Sequence, residues 1–172
     1  ATDVIIYTDM DGTALTDWSL GPVVPERNLA RIRAFVSAGG LFSVASGRQA
    51  PGILQLFPGV AFHAPLVCGN GSVIYDPAEQ QVLRKTCLPA DYKCACVSYF
   101  LTHPEVWIVA ADETRIWQIV SGDPARDDQL NDWPRPRMSI EDFLSGDYVK
   151  VVYILAEGGD MEALKHEVAA LP

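Results

Sequence analysis

The spacing of apolar positions changes character partway along the chain. The run Val4-Ile5-Ile6-Tyr7-Thr8 is short, apolar and β-branched, and it ends in acids and glycine. This predicts a buried strand feeding a loop. Pro25 suits the first turn of a helix, and Leu29, Ile32, Phe35 and Val36 follow at helical spacing until Gly39-Gly40 stops them. Residues 41–45 form a second apolar strand that runs into Ser46-Gly47. A second helix is predicted from about residue 49 to residue 57, with Pro51 tolerated in its first turn. Residues 65–68 read as a third short strand.

Strand, helix, strand, helix, strand in that order implies right-handed crossovers and a parallel sheet. Ligands of such sheets bind beyond the carboxyl ends of the strands. Asp9, Ser46 and Gly69-Asn70 all fall there. After Asn70 the pattern differs. Residues 72–75 and 81–85 read as a hairpin around Asp76-Pro77, followed by a helix over 90–101. Residues 106–111 and 115–120 flank Asp112-Glu113-Thr114 as a second hairpin. Residues 121–137, rich in Pro, Asp and Arg, read as loop. A short helix over 139–144, a strand over 148–155 and a last helix capped by Asp160 complete an antiparallel α+β unit.

Composition narrows the partners. Apolar residues at 49% and charged residues at 20% are those of a globular chain with a core, neither disordered nor fibrous. Acids outnumber bases 22 to 13, for a net charge of −9, and no Lys/Arg run breaks that field. Nucleic-acid backbones and anionic membranes are therefore not expected partners. An anionic substrate would need a cation or local backbone donors. No apolar stretch approaches the ~18 residues that span a bilayer. Cys68, Cys87, Cys94 and Cys96 are read as free thiols, because a chain with this much core needs no disulfide staples, and this favours the cytoplasm.

The sharpest local signal is Asp9-Met10-Asp11-Gly12-Thr13 directly after the first strand. Two carboxylates two residues apart converge at a cost, unless a cation lies between them or one is protonated. Gly12 permits a sharp turn and close approach to a ligand. The same residues would also serve as an ordinary strand-ending turn. Ser46-Gly47-Arg48 offers a hydroxyl, exposed amides and a helix start, which together suit an anion. Arg48 could equally pair with an acid. Asn70 either meets a ligand or heads an N-G turn.

Taken in order, IIYTDMDGT, FSVASGR and VCGNGSVIYD resemble the haloacid dehalogenase-like superfamily, in its Cof-type capped phosphatase branch. The likeness is specific over residues 3–76 and rests on element order beyond them. It implies an α/β fold, a partial Rossmann-like parallel-sheet core with an inserted α+β cap. Residues 1–82 would be the first half of the core and residues 83–172 the cap. It also implies a phosphatase whose Asp9 attacks phosphorus to give an aspartyl phosphate. Asp11 would be the general acid and then the base. Ser46, Gly47, Met10 and Gly12 would hold the phosphoryl group, with Asn70 and Arg48 toward the substrate. Mg²⁺ would bind the Asp9 carboxylate and the Asp11 backbone carbonyl. The substrate would be a small phosphorylated metabolite, such as a sugar phosphate or nucleotide.

The family also uses a Lys and a G-D-x-x-x-D segment that come after the cap, and the chain stops at Pro172 as the cap ends. The expectation is therefore a fragment, inactive alone, that dimerises, aggregates or associates with a missing C-terminal half. Lys150 is a poor match for the motif Lys. Alternatives remain. Gly122-Asp123 to Asp127 spells G-D-x-x-x-D, so Asp123 and Asp127 with Lys85 or Lys93 would make a complete capless enzyme. Trp133-Pro134-Arg135-Pro136 argues against further core strands there. A phosphate-binding module without turnover, or a phosphomutase, shares the same first motif. Trp107, Trp117, Tyr99 and Phe100 read as cap core sooner than as substrate contacts.

Overall fold

The computed structural model describes residues 4–15, 22–130 and 135–172. The chain divides into two compact units, residues 1–86 and 87–172. The division falls just after the strand over Gln81–Lys85.

In the first unit, β1 (Ile5–Thr8) pairs in parallel with β2 (Leu41–Val44), Ile5 opposite Leu41 and Thr8 opposite Val44. The crossover is α1 (Glu26–Ser37), which starts behind Pro25 and buries Leu29. It ends where the Gly39 and Gly40 N–H groups return to the Val36 and Phe35 carbonyls. A Cβ at 40 would meet the Phe35 ring, so any other residue there would have to displace that ring. The next crossover is α2 (Ala50–Leu56), with Pro51 in its first turn. A single parallel bridge from Ala45 to Val67 ties β2 to β3 (Leu66–Cys68). β3 then pairs antiparallel with β4 (Val73–Asp76), and β4 with β5 (Gln81–Lys85). Phe42, Phe57 and Phe62 form an aromatic cluster with centroids 5.8–6.0 Å apart.

β1 departs from expectation. It was predicted to be buried, yet Ile5, Ile6 and Tyr7 are 43–45% exposed. The cause is topological: among the described residues β1 has a hydrogen-bonded neighbour on one edge only. An apolar run implies a strand but not the second neighbour that would cover it.

The second unit is a four-stranded sheet in the order β8-β7-β6-β9. It comprises β6 (Val106–Ala111), β7 (Ile116–Ile119), β8 (Arg137–Met138) and β9 (Lys150–Leu155). β6 pairs antiparallel with β7 and β9, whereas β7 and β8 are parallel, so the unit is not wholly antiparallel as predicted. Helices α3 (Ala90–Thr102) and α5 (Ile140–Ser145) supply the core on one face, where Phe100, Phe143, Ile108 and Ile119 are fully buried. Lys93 lies in this unit with its Nζ donating to the Leu144 and Gly146 carbonyls, which ends α5. α6 (Met161–Ala169) begins at Asp160, whose side chain accepts from the Glu162 and Ala163 N–H groups as predicted.

The segment read as plain loop, 121–137, is a second correction. It contains α4 (Pro124–Asp127), a further turn at Asp128–Leu130, and the start of β8. Asp123 caps α4 by accepting from the Ala125 N–H, and Pro124 fills its first position. Trp133 and Pro134 lie outside the described residues. Phe100 and Trp107 are buried, and the Trp107 indole donates to the Arg126 carbonyl at 3.0 Å. The Trp117 indole donates to Asp112 at 3.1 Å and the Tyr99 ring stacks on His103, so these four aromatics have structural partners.

Candidate active site

Three loops leave the carboxyl ends of β1, β2 and β3, and backbone hydrogen bonds stitch them together. The Ala45 N–H donates to the Thr8 carbonyl at 2.9 Å, which brings the second loop beside the first. The Ser46 N–H donates to the Val67 carbonyl, and the Asn70 N–H returns to the Ser46 carbonyl at 3.1 Å. The Gly69 N–H donates to the Arg48 carbonyl at 3.1 Å. These bonds satisfy main-chain groups that leave regular pairing at the strand ends.

The first loop is a tight turn over Met10–Ala14. Met10 is fully buried and anchors the turn. Gly12 sits at φ 80°, left-handed backbone that a side chain would strain, which is why glycine follows the second acid. Asp9 is exposed, and its Oδ2 accepts from the Thr13 hydroxyl at 3.3 Å. The Thr8 hydroxyl donates to the Asp9 carbonyl at 2.9 Å.

A cavity of about 330 Å³ opens among these loops, lined by Asp9, Ala45, Ser46, Gly47, Val67, Asn70 and Gly71. Four of the residues singled out from sequence, Asp9, Ser46, Gly47 and Asn70, therefore share one wall. Ser46 is buried, and its Oγ accepts from the Arg48 N–H at 3.3 Å, leaving the hydroxyl proton to donate. Asn70 adopts φ 59°, ψ 33° in the Gly69–Gly71 turn between β3 and β4, so it does head an N-G turn while also lining the cavity. A larger cavity of about 410 Å³ lies against Ile6, Phe35 and Phe42. The smaller one is the better candidate, because the carboxylate, hydroxyl and loop backbone converge there.

Asp11 and Arg48 pair with each other. Arg48 Nη2 lies 2.7 Å from Asp11 Oδ1, and Nε lies 3.2 Å from Oδ2, a two-pronged contact. Of the roles open to Arg48, pairing with an acid is the one seen. Thr13, Ala45, Val67 and Gly71 were not assigned to the site from sequence. Thr13 was legible only as the last letter of the first motif, and the other three enter through the fold.

The donor set suits a hard cation. A carboxylate from Asp9 and main-chain carbonyl oxygens are what Mg²⁺ accepts, and Mg²⁺ commonly keeps several waters on one or two carboxylates. Among the described residues no group of three or more His, Cys, Asp or Glu could hold a metal by itself. Asp9 is the one acid among the cavity-lining residues, so a divalent cation there would draw the rest of its shell from main chain and water.

Asp123 and Asp127 are engaged within their own loop. Asp127 is buried, its Oδ1 accepts from the Ser121 N–H and hydroxyl, and its Oδ2 accepts from the Gly122 N–H. Among the described residues no helix is long and apolar enough to cross a membrane.

The family model described as haloacid dehalogenase-like hydrolase matches residues 6–171. The 5-amino-6-(5-phospho-D-ribitylamino)uracil phosphatase YbjI of Escherichia coli K12 is 31% identical over 121 residues. That match covers 70% of this chain and 43% of the relative. Among solved structures, the HAD subclass IIB sugar phosphatase BT4131 superposes with a TM-score of 0.72 at 16% identity, over 98% of this chain and 63% of that one. The phosphatase BT1666 of Bacteroides thetaiotaomicron gives 0.72 at 16% identity, over 98% and 60%. At such identity these two structures speak to fold alone. The chain spans less than two thirds of the length of each of these relatives.

Proposed function

The chain belongs to the haloacid dehalogenase-like hydrolase family, and from that premise we propose that it carries the nucleophile loops of a phosphomonoester hydrolase. The observation that carries this reading is the shared cavity of Asp9, Ser46, Gly47 and Asn70 at the ends of three consecutive strands. The exposed β1, paired on one edge among the described residues, offers a surface to a further strand or to a second copy of the chain.

In the proposed reaction an Asp9 carboxylate oxygen attacks phosphorus. The O–P bond to Asp9 forms as the bond from phosphorus to the leaving oxygen breaks, and Asp11 delivers its proton to that oxygen. Water then attacks the aspartyl phosphate, Asp11 takes the proton, and inorganic phosphate leaves with the Asp9 carboxylate restored. The Ser46 hydroxyl and the main chain of Met10, Gly12 and Gly47 hold the phosphoryl oxygens by donors fixed before reaction. Mg²⁺ held by the Asp9 carboxylate and the Asp11 carbonyl would offset the charge between two anions.

The substrate class we infer is a phosphorylated sugar or polyol, supported by the ribityl phosphate in the name of the E. coli relative. The test uses the full-length gene product with Mg²⁺, assayed on p-nitrophenyl phosphate and on 5-amino-6-(5-phospho-D-ribitylamino)uracil. Asp9→Asn should abolish turnover almost completely, because an amide cannot form the acyl phosphate. Wild-type turnover in that variant would sink the mechanism.

A further inference from the structure

Arg48 is held at three points, and each leads to a different part of the site. Its N–H meets the Ser46 hydroxyl at 3.3 Å, its carbonyl receives the Gly69 N–H at 3.1 Å, and its guanidinium forks onto Asp11. The side chain thus spans from the loop after β2 to the loop after β1, while its own backbone is fixed by the loop after β3. Neither Arg48 nor Asp11 is among the residues lining the Asp9 cavity.

We propose that Arg48 is a positioning residue for Asp11 and not a substrate-binding one. This rests on the functional reading given above. Asp11 stands on a turn whose Gly12 is at φ 80°, and its side chain is 38% exposed. A carboxylate so placed has several staggered orientations available. The guanidinium fork selects one, since a planar pair of donors fixes both carboxylate oxygens at once. The pair is too exposed for its main effect to be on stability. Its effect is geometric: both Asp11 oxygens accept from the guanidinium, so the fork orients Asp11 as the base that takes the proton from water in the second step, and misplacement by about 1 Å can cost about 10²-fold in rate. The chain carries a net charge of −9, so a guanidinium spent on Asp11 also leaves the phosphoryl charge to the hydroxyl, the backbone donors and the cation.

The test is a double-mutant cycle on the full-length gene product, with kcat and KM for p-nitrophenyl phosphate and a thermal melt for each variant. Arg48→Ala should lower kcat by about 10-fold or more, with KM changed by less than about 2-fold and the melting temperature nearly unmoved. Arg48→Lys should recover only part of kcat, because an ammonium is a point charge and not a fork. In an Asp11→Ala background, Arg48→Ala should have no further effect. The Arg48 Nε–H resonance in a ¹H–¹⁵N spectrum reports the pair without any turnover, and it should move in Asp11→Ala. A raised KM in Arg48→Ala, an equal loss in both backgrounds, or an unmoved Nε–H resonance would overturn the inference. Failure of the functional reading looks different: wild type without turnover, or Asp9→Asn with it.

Discussion

Truncating Asp127 to alanine separates two roles for that carboxylate, folding its own loop or serving a metal as the acidic member of a G-D-x-x-x-D segment. Asp127 is 3% exposed. Its Oδ1 receives the Ser121 N–H at 2.8 Å and the Ser121 hydroxyl at 2.9 Å, and its Oδ2 receives the Gly122 N–H at 3.1 Å. Alanine removes all three bonds and strands two main-chain donors. A hydrogen bond to a charged group is worth about 1.5–3 kcal/mol. Water entering the vacated space would restore part of that, so the net cost is about 3 kcal/mol and not the sum of three bonds. For a chain of this size, 1 kcal/mol moves the melting temperature by about 2–4 °C, so a fall of about 6–12 °C is expected. Asp127→Asn should fall between, because its amide oxygen keeps one set of donors while its NH₂ meets the Gly122 N–H. The assay is a thermal or urea melt followed by circular dichroism and Trp fluorescence. An unchanged transition in Asp127→Ala, together with loss of Mg²⁺-dependent turnover in the full-length gene product, would refute the loop-folding role.

Two further outcomes follow from buried or partnered titratable groups. Burial pushes the Cys68 thiol up to about 11 and also raises Cys96, whereas Cys94 is exposed. A disulfide reagent at pH 8 should therefore label Cys94 first and Cys68 only on unfolding, since the thiolate is the reactive form; equal rates would contradict the burial argument. The Tyr99 phenol is pushed up to about 12 by burial and by Glu167, whose Oε2 accepts its O–H at 2.7 Å. The raised value favours the neutral phenol in the folded chain. Its contribution to stability is therefore full below about pH 10 and is lost as pH rises toward 12. Urea midpoints between pH 9 and 12 should fall less steeply in Tyr99→Phe, and parallel slopes would count against the linkage.

Much of this protein was legible from short-range chemistry. Helix α1 follows from the Leu29, Ile32, Phe35 and Val36 spacing with Gly39-Gly40 behind it, and α5 and α6 announce themselves through Ser139 and Asp160. The placement of Asp9, Ser46 and Asn70 at consecutive strand ends could be read in the same way, because alternating strands and helices imply loops on one sheet edge. These features depend on neighbours a few residues away. Other features depend on partners far along the chain. Asp11 and Arg48 are 37 residues apart, and nothing local distinguishes an arginine that meets phosphate from one that meets an acid. The parallel pairing of β8 with β7, the anchoring of Lys93 on the end of α5, and the exposure of β1 are of that kind. An apolar or charged residue carries its own preference for burial or pairing in its chemistry. Which surface or partner satisfies that preference is set by how distant segments pack, and that geometry exists only once the chain has folded.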